Sequence, residues 1–331
     1  MKSLYSNILV LVAVVTSLSV SAFGQMAEVA PDQSSEVVTE SGGMVYSVRV
    51  QAGHLSGEAN EWVYNDDGSV LSQLIWEINS LVMVGIGATV ELNKWFSLHG
   101  DYWTLVSPGE GTMDDYDWMV SGSDWSDWSH SDDVDVSEGS ILDFSIELSP
   151  FRSFDDRPYS IRGILGHRVE TFEWEERGGT YLYSESGFRD SSGSFTAGEL
   201  GISYEQTFQM TYFGVAASYQ WENFDFGCRV IGSPFVFGSA DDQHHLRDFE
   251  THAELENGSM FSVALSGAYD LSRFFDGRQV VFSGAVNYTQ YDTITADTTY
   301  SWADGSDTTY EDSEGADLET IMASTALTLT F

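Results

Sequence analysis

The chain has 331 residues, with Lys+Arg 13 against Asp+Glu 52 and a formal net charge of -39. That balance excludes nucleic-acid binding, which needs clustered Lys and Arg to meet phosphates. A hydrophobic share of 42% with 14% aromatics excludes a disordered acidic chain, and the single cysteine, Cys228, excludes a disulfide scaffold.

The first residues carry one positive charge at Lys2, an apolar run from Ile8 to Val20, and small residues at Ser21, Ala22 and Gly24. The pattern predicts a secretory signal peptide over 1–24. The run is too short for a helical span, which needs roughly twenty apolar residues. Residues 25–43 are polar and small and read as a loose leader. No break in composition divides the rest, so 25–331 reads as one domain. Nowhere after the signal do twenty apolar residues run uninterrupted, so helical spans are not expected.

From residue 44 onward the dominant signal is alternation. Leu142, Phe144, Ile146 and Leu148 share one face of a strand, and Asp143, Ser145 and Glu147 share the other. Period two with one apolar and one small or polar face is a half-buried strand. Ten strands are predicted, near 44–58, 70–90, 95–111, 139–149, 158–176, 194–208, 212–232, 255–271, 277–296 and 312–331. Several exceed the roughly 9–11 residues that cross a bilayer. Short connections near 91–94, 150–157, 209–211 and 272–276 alternate with long ones near 59–69, 112–138, 177–193, 233–254 and 297–311. An even number of strands, with short turns at one end and long loops at the other, is the outer-membrane barrel pattern. The chain ends on Phe331 after an alternating strand, as such barrels do. The fold class expected is therefore all-β: a ten-stranded antiparallel transmembrane barrel. Its lumen is narrow enough for side chains to fill.

Acids crowd the long-loop end. Glu110 to Glu138 and Asp292 to Glu319 contain no Lys or Arg. The outer mouth should be strongly negative and should attract cationic peptides. Solubility alone accounts for most of these acids, and no EF-hand spacing is present.

Two clusters have chemical potential. Asp115 and Asp117 are two apart, so on an extended chain they face the same way. Asp242 and His244 share that spacing, and an acid beside an imidazole can orient the ring and stabilise its charged form. Together they are the parts of a hydrolase that activates water without a covalent nucleophile. Metal ligation by His244, His245 and nearby acids stays open from spacing alone.

Longer motifs carry a resemblance. They are Gly53-His-Leu-Ser-Gly57, Glu61-Trp-Val-Tyr64, Leu71-Ser-Gln-Leu-Ile-Trp76, Met113-Asp-Asp-Tyr-Asp-Trp-Met119, Trp125-Ser-Asp127, Arg177-Gly-Gly-Thr-Tyr-Leu-Tyr183, Glu185-Ser-Gly-Phe-Arg-Asp190, Gly193-Ser-Phe195 and Asp242-Gln-His244. With them the chain resembles the omptin family of outer-membrane aspartyl endoproteases over nearly its whole mature length. The resemblance implies a ten-stranded barrel with its active site at the outer mouth. It matches Asp115 and Asp117 to a carboxylate pair, and Asp242 and His244 to an Asp–His pair with His244 as general base. Glu61 matches an acid at the base of the pocket for a basic residue before the cut, and Asp127 an acid of the next pocket. The partners implied are cationic peptides or proteins and outer-membrane lipid, with no metal or cofactor and a monomeric state.

Three positions depart from the family pattern. Ala240 stands where a second pocket acid is usual, and the adjacent Asp241 should point the other way on a strand. Thr171, Thr207 and Gln209 stand where family members use basic residues to hold lipopolysaccharide phosphate. None can neutralise a phosphate, so a lipopolysaccharide requirement at this place is not expected. Gln243 replaces the usual Glu between the acid and the histidine. Cys228 reads as a small apolar strand residue, and Trp125 and Trp128 as groove or loop anchors. An inactive or adhesive barrel, or a small channel, is the alternative to a protease.

Overall fold

The computed structural model describes residues 44–120, 122, 124–151, 158–275 and 277–331. The expected signal peptide and leader lie outside them. Thirteen strands form one sheet. They are β1 Val45–Tyr64, β2 Val70–Glu91, β3 Phe96–Leu105, β4 Gly109–Asp117, β5 Asp127–Phe151, β6 Tyr159–Arg177, β7 Thr180–Tyr183, β8 Ser191–Ser194, β9 Leu200–Trp221, β10 Phe224–His244, β11 Phe249–Asp270, β12 Gln279–Trp302 and β13 Asp307–Thr330.

The antiparallel order runs β3-β2-β1-β13-β12-β11-β10-β9-β6-β5, and β5 pairs back onto β3 to close the ring. β4 continues β3 beyond Pro108 and keeps the same neighbours, β2 and β5. Proline has no N–H for the ladder, so the stave breaks there and resumes. β7 and β8 form a hairpin hung on β5. Ten staves thus make the barrel. Closure leaves no stave at an edge, so each has a hydrogen-bonded neighbour on both sides, with the ladders interrupted at bulges.

Alternation divides each stave between two environments. In the lower half, toward Val45 and Phe331, the outward side chains are large, apolar and exposed: Phe213 at 57% and Leu265 at 61%, with Ile86, Phe144, Ile146, Val286 and Ile321 around the ring. This is the band that meets lipid. The inward side chains at that level are polar and paired. Arg168 Nε donates to Asp143 Oδ2 at 2.8 Å, Tyr212 Oη to Asp143 Oδ1 at 2.6 Å, and Arg229 Nη2 to Tyr212 Oη at 2.8 Å. Arg49 pairs with Asp101 beside them. A cavity of about 200 Å³ remains among these groups. Above them Phe208 and Tyr291 stack at 4.4 Å, so side chains fill the lumen as expected for this strand number.

The upper half of each stave stands clear of the band, and here the predicted boundaries need correction. Most residues read as long loops at 59–69, 112–138, 233–254 and 297–311 are strand, and among the described residues only short stretches at 65–69, 118–120, 122, 124–126, 245–248 and 303–306 are not. The acids there disguised the strands, because outside lipid both faces of a strand can be polar. Among the described residues only 178–199 is a long connection, and it holds the β7–β8 hairpin. The turn expected at 209–211 does not exist. β9 runs through it with Gln209 and Thr211 outward, and the chain reverses at 222–223, where Glu222 has φ 55. Part of the turn expected at 150–157 lies outside the described residues.

Candidate active site

The upper halves carry the two pairs on opposite walls. On β4 the inward set is Met113, Asp115 and Asp117, because each lies two residues from the last. Ser72 Oγ, on β2, donates to Asp115 Oδ1 at 3.0 Å. Burial pushes the Asp115 carboxyl up to about 8, and the neighbouring Asp117 charge adds to it. Asp117 is raised too, by burial and then by Asp127. This pair therefore retains a proton at neutral pH.

On β10 the inward set is Ala240, Asp242 and His244. His244 Nε2 lies 2.7 Å from Asp242 Oδ2, with Asp242 almost fully enclosed. The approach is oblique, and neither Asp242 oxygen has an aligned donor. Such contacts commonly tighten only when substrate is bound. Arg247, in the turn after β10, donates from Nη2 to His244 Nδ1 at 3.0 Å. Nδ1 is thus an acceptor and the ring proton sits on Nε2, toward Asp242. Phe249 stacks on the imidazole at 4.3 Å and limits its rotation.

Asp115 and His244 face one cavity of about 280 Å³, with Glu176, Tyr183 and Arg247 also in its lining. None of these last three was singled out by sequence. Burial, then the Asp115 charge, pushes the Tyr183 hydroxyl up to about 12, so it is a proton donor at neutral pH. Burial pushes Glu176 up to about 7. Their signal was available: Glu176 is on the inward set of β6, and Tyr183 ends the Arg177–Tyr183 motif.

That motif has a backbone reason. Gly178 has φ +67 and Gly179 φ +102, and a Cβ on Gly179 would stand 2.4 Å from the His130 carbonyl oxygen. Only glycine lets the chain leave β6 and press β7 onto β5 here. Asp127 then ties the hairpin down. Its Oδ1 accepts from Ser184 N at 2.8 Å and its Oδ2 from Ser126 Oγ at 2.6 Å. Arg189 stacks on Trp125 at 3.3 Å, and Asp190 Oδ1 accepts from Glu185 N at 3.1 Å. So Trp125 anchors a loop, while Trp128 stacks on His130 at 5.8 Å and bonds Asp114.

Glu61 points into the barrel from β1 and is buried, with Trp76 Nε1 donating to Oε2 at 3.4 Å. Burial raises its carboxyl well above the usual range, and Asp242 and Glu314 add to the effect. Trp76, Trp174 and Tyr204 form an aromatic wall beside it, with Trp76 and Tyr204 stacked at 5.5 Å. The structure places the six singled-out residues on inward positions of the upper barrel, with Asp115 and His244 on one cavity and Glu61 deeper beside Asp242. Asp241 points outward and pairs with His252 at 2.6 Å, as its parity requires. Thr171 and Thr207 also face out, their hydroxyls 2.9 Å apart. Nearby on the same wall, carboxyl oxygens of Glu138, Glu173 and Glu205 lie within 4.8 Å of one another, a poor neighbourhood for phosphate.

Comparison with known proteins gives a consistent answer. The Omptin family profile matches residues 44–331. Outer membrane protease OmpP of Escherichia coli strain K12 is 31% identical over 228 residues, covering 67% of this chain and 71% of the relative. The plasminogen activator of Yersinia pestis is 26% identical over 262 residues, covering 78% and 80%. The crystal structure of outer membrane protease OmpT from Escherichia coli superposes with a TM-score of 0.80 at 26% identity, covering 87% of this chain and 97% of that one.

Proposed function

This chain belongs to the omptin family and is an outer-membrane protease, and we propose that it cuts peptides beside basic residues with a water activated between two acidic pairs. The observation that carries the reading is the placement of Asp115 and His244 on opposite walls of one cavity, each backed by a second acid on its own strand. Among the described residues the His244 ring nitrogens meet Arg247 and Asp242 and no serine, threonine or cysteine, and the cavity of about 280 Å³ has room for a water between the walls.

In this mechanism His244 takes the water's proton on Nδ1, the nitrogen turned away from Asp242. Arg247, which donates to that nitrogen, gives up this bond to the water. Asp242 stabilises the imidazolium through Nε2. The hydroxide attacks the peptide carbonyl. The shared proton of the Asp115–Asp117 pair offers a hydrogen bond to the developing oxyanion, as a carboxyl kept neutral at neutral pH can. His244 then returns its proton to the leaving amine. Glu61, buried beside an aromatic wall, receives the basic side chain, and Asp127 adds negative charge to the adjoining subsite while holding the hairpin. Substrates are cationic peptides or proteins met from outside the cell. No metal enters any step. Lipopolysaccharide phosphate is not held at Thr171, Thr207 and Gln209.

The test is cleavage of a mixed peptide library by detergent-refolded protein, with cut sites mapped by mass spectrometry. His244→Ala is expected to lose at least roughly 1,000-fold in kcat/KM while keeping the heat-modifiable gel mobility of a folded barrel. Equal cutting by wild type and His244→Ala, or none by folded wild type, would return the reading to an inactive or adhesive barrel.

A further inference from the structure

Glu61 and Asp242 have a third acidic companion. Glu314, on β13, is 3% exposed, as each of them is. β13 is hydrogen-bonded to β1, with Glu314 opposite Val63 and Ala316 opposite Glu61. Its inward set is Glu314, Ala316, Leu318 and Thr320. The carboxyl of Glu314 therefore enters the same chamber from the next stave. The charges of Asp242 and Glu314 both act on Glu61, and that of Asp242 acts on Glu314.

Among the described residues no Lys or Arg pairs with any of these three acids. Asp242 is buried with both oxygens lacking an aligned donor. Tyr300, Thr251 and Thr298 approach Glu314, the two threonines too obliquely to be bonded. A buried anion without a cation is costly, so the chamber must take up protons or a positive ligand. Burial pushes Glu314 up to about 8, with the Asp242 charge adding to it, so it is largely protonated at neutral pH.

Two features define the ligand. The three carboxyls are spread too widely to clasp one ion, since the set whose ligand atoms fall within 4.8 Å of one another is the outer-wall trio and not this one. A guanidinium or ammonium on a flexible stem suits that spread, and the aromatic wall of Trp76 and Tyr204 beside Glu61 suits the apolar stem. The wall that Glu314 approaches is built of small side chains: Ala240 and Ala253 are paired across β10 and β11, and Ala253 is next to Thr298 on β12.

We propose that Glu314 is a specificity-determining residue, the second anionic wall of the pocket that receives the substrate's basic side chain, supplied from β13 because position 240 is alanine. The inference rests on the protease reading. Glu314 makes no contact with the reacting atoms. It holds the side chain beside the cut together with Glu61 on the adjacent stave.

The test uses paired peptides carrying Arg or its uncharged isostere citrulline before the cut. The wild-type ratio of kcat/KM, Arg over citrulline, is expected to fall roughly 10- to 100-fold in Glu314→Gln, the range for losing one charged hydrogen-bond partner. Adding Ala240→Asp to Glu314→Gln should restore much of the ratio. A ratio unchanged in Glu314→Gln, including a proportional fall on both peptides, overturns the inference and leaves Glu314 a structural acid. Binding of the Arg peptide to His244→Ala, followed by tryptophan fluorescence, gives a reading independent of cleavage. Glu314→Gln in that background is expected to weaken binding by the same factor. If folded wild type cuts neither peptide but this binding difference holds, the protease reading fails and the pocket stands. If the difference is absent, the pocket fails.

Discussion

Asp115 keeps its proton at a pH where a solvated aspartate has lost it, and the causes are ranked. Burial is the largest, the Asp117 charge comes next, and the Ser72 hydroxyl opposes both by bonding the ionised form. If the shared proton steadies the oxyanion, activity should fall on the alkaline side with an apparent pKa near 8, a value that belongs to the pair. Ser72→Ala removes the group that favours the carboxylate. The pair then holds its proton to higher pH, and the alkaline limb of kcat/KM should move up by roughly half a unit to one unit, the worth of one neutral hydrogen bond. A pH–rate series on both proteins measures it. A limb that stays in place would detach the alkaline loss from Asp115. A limb that moves down would mean that Ser72 supports the neutral form instead.

Between β6 and β9 the chain makes its only long excursion among the described residues, and it does so to bring Tyr183 over the acidic pair. Gly178 and Gly179 permit the turn, Asp127 clasps Ser184, and Arg189 lies on Trp125. Gly179→Ala puts a methyl 2.4 Å from the His130 carbonyl at φ +102. Strain of this kind costs about 1–3 kcal/mol, more than a surface hairpin of two four-residue strands can absorb locally. The expected outcome is a barrel that still resists heat, with a hairpin nicked faster by added protease over 180–195 and kcat/KM lowered about tenfold or more. Ten staves were legible beforehand because period two survives in the lipid-facing halves, where one face must be apolar. The catalytic pairs were legible for the same reason, since a spacing of two guarantees a shared face. Boundaries in the upper halves were not. Outside lipid, outward Gln209 and Thr211 look like a turn, and the strand carrying Asp127 and Ser129 looks like an acidic loop. Glu314 stayed hidden among the other acids of 292–319, because its meaning depends on the β1–β13 register, which no local pattern reveals.

The whole molecule separates its charges along the barrel axis. Arg49, Arg162, Arg168 and Arg229 sit at the level of the apolar band, each paired with an acid or a tyrosine there. The acids above the band are far less compensated. Among the described residues only Arg177, Arg189 and Arg247, with any histidine that is protonated, stand against the carboxylates of the projecting staves. The field at the mouth is therefore strongly negative and opens toward solvent, while the lumen beneath it is plugged and locally balanced. A field of that shape draws polycations to the cleft before any side chain is recognised, and it is screened by salt where the buried chamber contacts are not. Raising ionic strength from roughly 10 mM to roughly 300 mM shortens the screening length from about 30 Å to about 6 Å. Over that range kcat/KM for a peptide with four extra lysines distant from the cut should fall roughly tenfold or more. A peptide with the same residues around the cut and no net charge should change little. The Arg-over-citrulline preference should hold through the series, because the chamber that sets it is buried. If salt instead erodes that preference as fast as it erodes the rate on the lysine-rich peptide, selectivity comes from the open mouth, and Glu61 and Glu314 do not form a separate site beneath it.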